Sequence, residues 1–256
     1  MLETLHHDAI LELRLARPPV NAFDVALSRA LREAIENAPH DGVRAIAISG
    51  RVGMFSGGLD VAAVLQLDAS GKLAELWREY SQLCRAIAAS SVPVVAAITG
   101  HCPAGGAVLA TFCDYRVMAR GADPNKPFRI GLNETQVGLV VPAEVQTGLR
   151  RLVGAYRAER LMVAGTMVDS EEALRIGFVD ELAEPEHVVA RSLEWLRGLL
   201  ALPPGAMSGT RRVARADLVA AFDAQRSGNV DEFVRGWFTD ESRATLTAML
   251  ARLKGK

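Results

Sequence analysis

The sequence contains little cysteine: Cys84, Cys102 and Cys113 are the only three in 256 residues. Three cysteines at irregular spacings are too few for a disulfide framework or a structural zinc site. Each of them lies among apolar residues. We therefore expect reduced thiols in a hydrophobic core and, with them, a reducing cytoplasmic location.

Long apolar runs and an excess of one charge are also missing. No stretch reaches the roughly 18 apolar residues that a membrane-spanning helix needs, so we expect no membrane partner. The 29 lysines and arginines nearly balance the 30 aspartates and glutamates, which gives no reason to expect nucleic acid as a partner. The first eight residues are neither basic nor apolar, so we expect no secretory signal.

What is present is an ordinary globular composition, with 50% hydrophobic and 23% charged residues. A chain of 256 residues is long enough to form one domain with a large buried core, or one such domain with a helical appendage. No flexible linker, low-complexity tract or internal repeat divides the chain.

The first half of the chain alternates between strand and helix patterns. Short apolar runs predict strands at 9–16, 43–49, 94–99 and 114–119, and apolar residues at helical spacing predict helices at 25–37, 72–89 and 104–112. This alternation is typical of a parallel sheet with helical crossovers.

Helical patterns dominate the second half. Helices are predicted at 143–153, 155–163, 170–176 and 185–202, and in pieces over 206–253. A single strand, at 178–182, is predicted to interrupt them. The fold class is therefore α/β with a helical C-terminal region.

Two glycine pairs are the most informative local feature. Gly57-Gly58 lies in the segment FSGGLD (55–60) and Gly105-Gly106 ends the segment CPAGG (102–106), and each pair follows a predicted strand. Glycine permits sharp turns and lets a ligand approach backbone N–H groups closely. Two such loops together can give two N–H donors to one oxyanion. Most glycine turns are only tight turns, however, and neither loop fits a nucleotide fingerprint.

A single carboxylate, Glu134, stands in the mostly apolar segment GLNETQ (131–136). One acid beside two N–H donors is sufficient to move a proton next to a carbonyl group. By residue type, a solvated loop carboxylate or a helix cap pairing with Asn133 or Thr135 is equally open at this point.

Several segments, in order and spacing, resemble the crotonase (enoyl-CoA hydratase/isomerase) family. They are FSGGLD (55–60), AITGHCPAGG (97–106), CDYR (113–116), PVNA (19–22) and the segment 168–179. The resemblance runs from about residue 10 to the C-terminal helices. CPAGG and GLNETQ are more similar to the delta-3,delta-2-enoyl-CoA isomerases of that family than to its hydratases.

The resemblance implies a fold and an assembly. The fold is a crotonase-like spiral of βαβ units, with a core at 1–200 and a C-terminal helical trimerisation region at 201–256. The assembly is a homotrimer or a dimer of trimers. The implied partner is an acyl-CoA substrate. No metal or redox cofactor is implied, because CoA is part of the substrate.

The resemblance also implies site residues. Glu134 is the catalytic base, and the backbone N–H groups of Leu59 and Gly105 form the oxyanion hole. The implied substrate-binding residues are Ala22, Gly57, Gly58, Leu59, Asp60, Val61 and Gly105.

One position favours one reaction over another. Family hydratases use two glutamates, and one of these falls at Val108, which can neither accept nor donate a proton. A solitary base can shift a double bond, so we expect isomerisation of 3-enoyl-CoA to trans-2-enoyl-CoA in fatty acid degradation. Val108, Leu132 and Val140 should raise the pKa of Glu134 by desolvation. Hydration, thioester hydrolysis and non-catalytic acyl-CoA binding remain alternatives.

Other polar residues receive structural interpretations. We expect His101 to bond to backbone, Asp60 to cap a helix, and Asp114 to bond to backbone or an arginine. Glu144 is either a second acid in the pocket or an exposed carboxylate at a helix start. The segment 121–127 is longer than in the isomerases, which leaves chain-length preference open. Candidate CoA contacts, alternatively a solvated helix face, are Arg211, Arg212, Phe233 and Lys254.

Overall fold

The structure is a computed structural model that describes residues 1–67, 71–121, 123, 125–224 and 229–254. Most of the 121–127 segment is included, but residues 122 and 124 lie outside the described part, as does the side chain of Lys254. Among the described residues, none of the helices combines the length and the apolar character that crossing a membrane requires.

In the described part of the chain, ten strands form two sheets. In chain order they are β1 (Leu2–His7), β2 (Ile10–Leu15), β3 (Ala45–Ser49), β4 (Gly53–Met54), β5 (Val94–Ile98), β6 (Gly100–Pro103), β7 (Tyr115–Ala119), β8 (Arg129–Gly131), β9 (Val168–Asp169) and β10 (Glu181–Ala183). The larger sheet has the order β1-β2-β3-β5-β7-β10, and the smaller has the order β4-β6-β8-β9. In the larger sheet every neighbouring pair is parallel except β1 with β2.

The described residues also form twelve α-helices. They are α1 (Val25–Asn37), α2 (Val61–Val64), α3 (Gly71–Ala89), α4 (Gly105–Thr111), α5 (Ala143–Val153), α6 (Ala155–Ala164), α7 (Ser170–Arg175), α8 (Val188–Leu200), α9 (Pro204–Ala214), α10 (Ala216–Ala224), α11 (Asn229–Trp237) and α12 (Asp240–Lys254). A 3-10 helix spans Glu134–Val137.

The helices predicted from periodicity are present, and the predicted parallel sheet is confirmed. The sheets differ from the prediction in three ways. The first is β1, whose side chains are mostly half-buried or exposed at the sheet edge, so that its polar composition gives no strand signal. The second is the smaller sheet, whose strands are two to four residues long and too short to show a period.

The third difference is the strand predicted at 178–182, which is wrong in its first half. The N–H groups of Phe178 and Val179 both donate to the carbonyl of Ala173, at 2.8 and 3.3 Å. These bonds close the end of α7 and delay the strand until Glu181. Both apolar side chains are nevertheless buried, which explains the strand-like pattern.

The core lies between the larger sheet and the helices on its two faces. Strands β3 and β5 are buried along their whole length. On one face, α1 and α3 pack against each other, and α8 covers β3, β5 and β7 on the other. All three cysteines are buried and free, and burial raises the pKa of each thiol. The prediction of core thiols is confirmed.

The C-terminal helices are attached to this core by helix–helix packing and by a cluster of ion pairs. Helices α10 and α11 pack on α3, and α12 packs on the 3-10 helix. Arg211 and Arg215 bind the carboxylate of Asp114, with Arg211 Nη2 2.9 Å from Asp114 Oδ2. Asp114 Oδ2 also accepts from the N–H of Val94 at 2.7 Å. Asp114 therefore has the structural role predicted for it. The guanidinium of Arg211 is engaged in this buried ion pair.

Candidate active site

The two glycine loops, far apart in sequence, are in direct contact. A Cβ atom added to Gly58 would lie 2.9 Å from the backbone N of Gly105, and one added to Gly105 would lie 3.2 Å from the backbone N of Leu59. Gly58 also has φ +90°, a conformation that residues with a Cβ rarely adopt. Only glycine allows the two loops to approach each other this closely.

Two amides at this contact are free. Among the described residues, no acceptor is found for the N–H of Leu59 or of Gly105. The amides flanking Leu59 are both bonded: Gly58 N–H donates to Ser56 Oγ at 3.1 Å, and Asp60 N–H donates to the Phe23 carbonyl at 3.0 Å. The pair is therefore available to a ligand oxygen, as an oxyanion hole requires.

Ala104 turns the chain from β6 into α4. Its backbone has φ 45° and ψ −122°, a strained conformation for a residue with a side chain. Its own N–H is held by the Gly131 carbonyl at 2.9 Å. The turn leaves Gly105 as the first residue of α4, where an amide has no partner within the helix.

A cavity of about 340 Å³ adjoins the two free amides. Its wall is almost wholly apolar and includes side chains from α3, α4, α5, α11 and α12. Glu134 is the one carboxylate among the described residues that line it. The arrangement is an apolar chamber that brings one acid and two N–H donors together.

Glu134 begins the 3-10 helix that follows β8. The residue as a whole is half-buried, but its Oε2 atom is fully buried and has no hydrogen-bond partner among the described residues. Burial raises the pKa of this carboxyl from 4.5 to about 7. This is the direction that its apolar surroundings predict, and a base of that pKa suits proton transfer near neutral pH.

Glu134 is neither a solvated loop carboxylate nor a helix cap paired with Asn133 or Thr135, the two alternatives left open by the sequence. Asn133 makes no side-chain cap to the 3-10 helix, and the hydroxyl of Thr135 donates to the Met162 carbonyl at 3.1 Å. Val108 is buried and lines the cavity with Glu134, as expected of a desolvating neighbour. Val140 also lines the cavity but is 71% exposed, and Leu132 lies in the main core.

The other predicted substrate-binding residues are placed as follows. Gly57 and Val61 line the cavity. Asp60 caps α2 by accepting from Ala63 N–H at 3.0 Å, as predicted. Ala22 is buried outside the cavity lining, and its carbonyl accepts from Arg17 at 3.0 Å.

The remaining polar candidates have structural positions. His101 Nδ1 accepts from the Arg129 N–H at 3.2 Å, which confirms the expected bond to backbone. Glu144 is 2% exposed at the start of α5, so an exposed carboxylate is wrong, and it is not among the described residues lining the cavity. Arg212 lies in a separate groove between α3 and α9, away from the glycine loops.

Aromatic residues in the cavity wall were missed from sequence. Trp77 and Tyr80, one turn apart on α3, line the cavity, as does Trp237 on α11. Their spacing indicates only the buried face of an amphipathic helix. Phe233, expected as a CoA contact, lies in the same wall and stacks on Trp77 with ring centroids 3.9 Å apart.

Comparison with known proteins identifies similar sequences over nearly the whole chain. The family model described as "Enoyl-CoA hydratase/isomerase" matches residues 6–256. Human mitochondrial enoyl-CoA delta isomerase 1 is 32% identical over 246 residues, covering 94% of this chain and 79% of the human protein. A probable enoyl-CoA hydratase of Mycobacterium tuberculosis, EchA17, is 31% identical over 232 residues, covering 88% and 85%.

A solved structure is similar over nearly the whole chain. The crystal structure of human mitochondrial delta3-delta2-enoyl-CoA isomerase superposes with a TM-score of 0.92 at 30% identity, covering 99% of this chain and 98% of that one. The family match over residues 6–256 and the similarity of fold agree, and the chain belongs to the enoyl-CoA hydratase/isomerase family, with the crotonase fold.

Proposed function

We propose that this chain converts 3-enoyl-CoA thioesters into trans-2-enoyl-CoA. One observation carries the proposal: Glu134 is the one carboxylate among the described cavity residues, and Val108, where the resemblance to family hydratases implies a second glutamate, lines the same cavity with an apolar side chain. A single buried base beside two free amides is suited to moving one proton within one substrate.

The reaction follows from this geometry. The thioester carbonyl oxygen accepts hydrogen bonds from the N–H groups of Leu59 and Gly105. The Glu134 carboxylate removes a proton from the carbon next to the carbonyl, and the electron pair of the broken C–H bond delocalises into a dienolate. The protonated Glu134 then returns the proton to the γ carbon, which leaves the double bond conjugated with the carbonyl.

The amides matter most while the dienolate exists. Negative charge builds on the carbonyl oxygen only as the proton leaves, so fixed donors stabilise the transition state more than the bound substrate. Losing one such donor typically raises the barrier by about 3 to 4 kcal/mol. The apolar wall excludes water and strengthens both hydrogen bonds.

Hydration is less well supported. Adding water requires one group to activate the water and another to protonate the carbon, and the apolar side chain of Val108 can do neither. Relatives bear both names, isomerase and hydratase, so the family by itself does not select the reaction. The cavity chemistry favours isomerisation.

The remaining parts of the proposal rest on family resemblance. They are a role in fatty acid degradation, a CoA thioester as substrate without a further cofactor, and a homotrimer or dimer of trimers. The proposed cytoplasmic location rests instead on the three cysteines among apolar residues. The division into a core at 1–200 and a trimerisation region at 201–256 likewise stays a prediction.

Two substrates distinguish the candidate reactions. With 3-hexenoyl-CoA, the absorbance of a conjugated thioester should appear, whereas crotonyl-CoA should not be hydrated at a comparable rate. Glu134→Gln should lower kcat by about 10³-fold or more, since a positioned base contributes about 10² to 10⁴, while acyl-CoA binding persists.

Glu159→Gln, on the exposed surface of α6, is the matched control and should retain full activity. Rapid crotonyl-CoA hydration would contradict the proposal. Normal binding of acyl-CoA with no turnover by the unmodified protein would favour the binder alternative.

A further inference from the structure

We infer that Tyr80 is a positioning residue that holds the Leu59 and Gly105 amides at a fixed separation. The inference deepens the proposed function and rests on it for its kinetic consequence. Tyr80 lies on α3, is 1% exposed and lines the cavity. It does not need to touch the reacting atoms for this role.

The hydroxyl of Tyr80 is tied to the second glycine loop. It donates a hydrogen bond to the carbonyl oxygen of Gly105, the residue whose N–H is one of the two free amides. The O–H group is thereby directed at the first turn of α4.

The ring of Tyr80 is tied to the first glycine loop. It packs against the ring of Phe23 with centroids 5.2 Å apart. Phe23 in turn holds the backbone on both sides of Leu59: its N–H donates to the Gly58 carbonyl at 2.7 Å, and its carbonyl accepts from Asp60 N–H at 3.0 Å. One side chain thus connects the supports of both free amides.

Such a tie is needed because the loops cannot fix themselves by side-chain packing. Gly58 and Gly105 have no side chains, and neither has room for one. Ala104, immediately before Gly105, has a strained backbone, and strained residues persist only where their surroundings hold them. A hydrogen bond to the Gly105 carbonyl supplies that constraint from a rigid 19-residue helix.

Tyr80 remains a donor throughout the working pH range. Burial raises the pKa of its phenol well above 10, and the nearby charge of Glu134 raises it further. The tie therefore does not titrate along with the base. Any pH dependence of the rate near 7 belongs to Glu134.

Kinetics of Tyr80→Phe provide the first test. The substitution retains the ring and its contact with Phe23 but removes the hydroxyl. We expect kcat for 3-hexenoyl-CoA to fall at least about tenfold with KM changed less than about threefold, since a 1 Å misplacement can cost about 10² in rate. The pH profile should keep its inflection near 7.

Tyr115→Phe is the matched control. Tyr115 is half-buried, whereas Tyr80 is fully buried, but it too packs its ring on an aromatic residue, Trp195, with centroids 4.5 Å apart. Its hydroxyl donates to Glu181, away from the cavity. Loss of the Tyr115 hydroxyl should leave kcat within about twofold of that of the unmodified protein. An unchanged kcat in Tyr80→Phe, or an equal fall in both variants, would overturn the inference.

A spectroscopic test separates this inference from the proposed reaction. 2,4-Hexadienoyl-CoA is already conjugated, and its absorption moves to longer wavelength when hydrogen bonds polarise its carbonyl. The unmodified protein should shift the band on binding, and Tyr80→Phe should lose most of the shift at similar affinity. Equal shifts in both proteins, or none in the unmodified protein, would overturn the role of Tyr80. A normal shift with no turnover of 3-hexenoyl-CoA would reject the isomerase proposal alone.

A second route applies if Tyr80→Phe does not fold. The chain has three tyrosines, so in a Tyr115→Phe/Tyr156→Phe background fluorotyrosine supplied during growth enters only at Tyr80. Fluorination acidifies the hydroxyl while preserving its bond. The band of bound 2,4-hexadienoyl-CoA should then move relative to the unlabelled double variant. An identical band would overturn the inference.

Discussion

The carboxylate of Glu134 shows how one residue's environment sets its chemistry. Its Oε2 atom is buried without a hydrogen-bond partner among the described residues. Desolvation penalises the charged form, which raises the pKa to about 7. The same desolvation makes the carboxylate a stronger base once it is ionised. The desolvation that destabilises the negative charge of Glu134 is thus what makes this carboxylate an effective base.

The pH dependence of the rate should report this group. The base must be deprotonated to accept the α proton, so kcat/KM should rise with pH through about 7 and then level off. A pH series with 3-hexenoyl-CoA measures this directly. An inflection near 4.5, the ordinary value for a glutamate, would show that the carboxylate is solvated in the free protein.

The pH dependence of stability should report the same group with the opposite sign. The folded-state pKa is raised, so between about pH 4.5 and 7 the folded chain holds a proton that the unfolded chain has released. Stability contributed by this proton is present below about pH 4.5 and is lost as pH rises to 7. Glu134→Gln should therefore be more stable than the unmodified chain at pH 8, by about 3 kcal/mol.

Urea unfolding at pH 8 and pH 5 measures this difference, which should shrink at the lower pH. Glu159→Gln serves as the control and should change stability little at either pH, since exposed charges contribute little. A stability gain in Glu134→Gln that is equal at both pH values would contradict a raised pKa for Glu134.

At the scale of elements, the site is made where two short loops meet. Gly58 and Gly105 approach so closely that a Cβ on either would contact the backbone of the other loop. The free amides therefore depend on the geometry of both loops. A substitution in one loop should displace a donor on the other.

Gly58→Ala tests this dependence. Its added Cβ would lie 2.9 Å from the Gly105 N, and φ is +90°, so we expect a loss of stability of about 1 to 3 kcal/mol from backbone strain. We also expect kcat to fall about 10²-fold, as when one oxyanion donor is lost. Thermal unfolding and steady-state kinetics measure the two effects.

Gly42→Ala is the matched control. Gly42 has a similar φ of +80°, but nothing lies within 4 Å of an added Cβ. It should show the strain cost without the loss of kcat. If Gly42→Ala lowered kcat as much as Gly58→Ala, the effect on rate would be general rather than local to the amides.

At the scale of the whole molecule, the C-terminal helices complete the cavity. Phe233 and Trp237 on α11 and Leu246 and Met249 on α12 form part of its wall. The cluster of Asp114 with Arg211 and Arg215 fastens α9 and its end to the core. Assembly of the cavity therefore depends on contacts between distant parts of the chain.

Asp114→Asn should weaken this attachment. It removes the charge shared by two arginines whose side chains are about nine-tenths buried, and breaking a buried pair costs about 3 to 5 kcal/mol. Arg85→Gln is the control, because its pair with Asp223 between α3 and α10 is exposed and should be worth less than about 1 kcal/mol. Urea unfolding of both variants provides the comparison. Equal losses would show that the Asp114 cluster does not anchor the C-terminal helices.

Local patterns in the sequence determined the long elements. Apolar residues at helical spacing gave α1 and α3, and buried β-branched runs gave β3 and β5, because periodicity and burial are properties of neighbouring residues. The glycine pairs and the resemblance around them indicated Glu134, Leu59 and Gly105 as site residues. Strands as short as β4 and β9 carry no such period and were not predicted.

Only the tertiary structure decided what these residues share. Sequence could not show that Gly58 touches Gly105, that Glu134 Oε2 is buried without a hydrogen-bond partner among the described residues, or that Glu144 is buried. Tyr80 has the same pattern as any core aromatic, and its bond to the Gly105 carbonyl joins residues 25 positions apart. Contacts of this kind depend on how whole elements pack, whereas helix and strand propensity depend only on residues a few positions away.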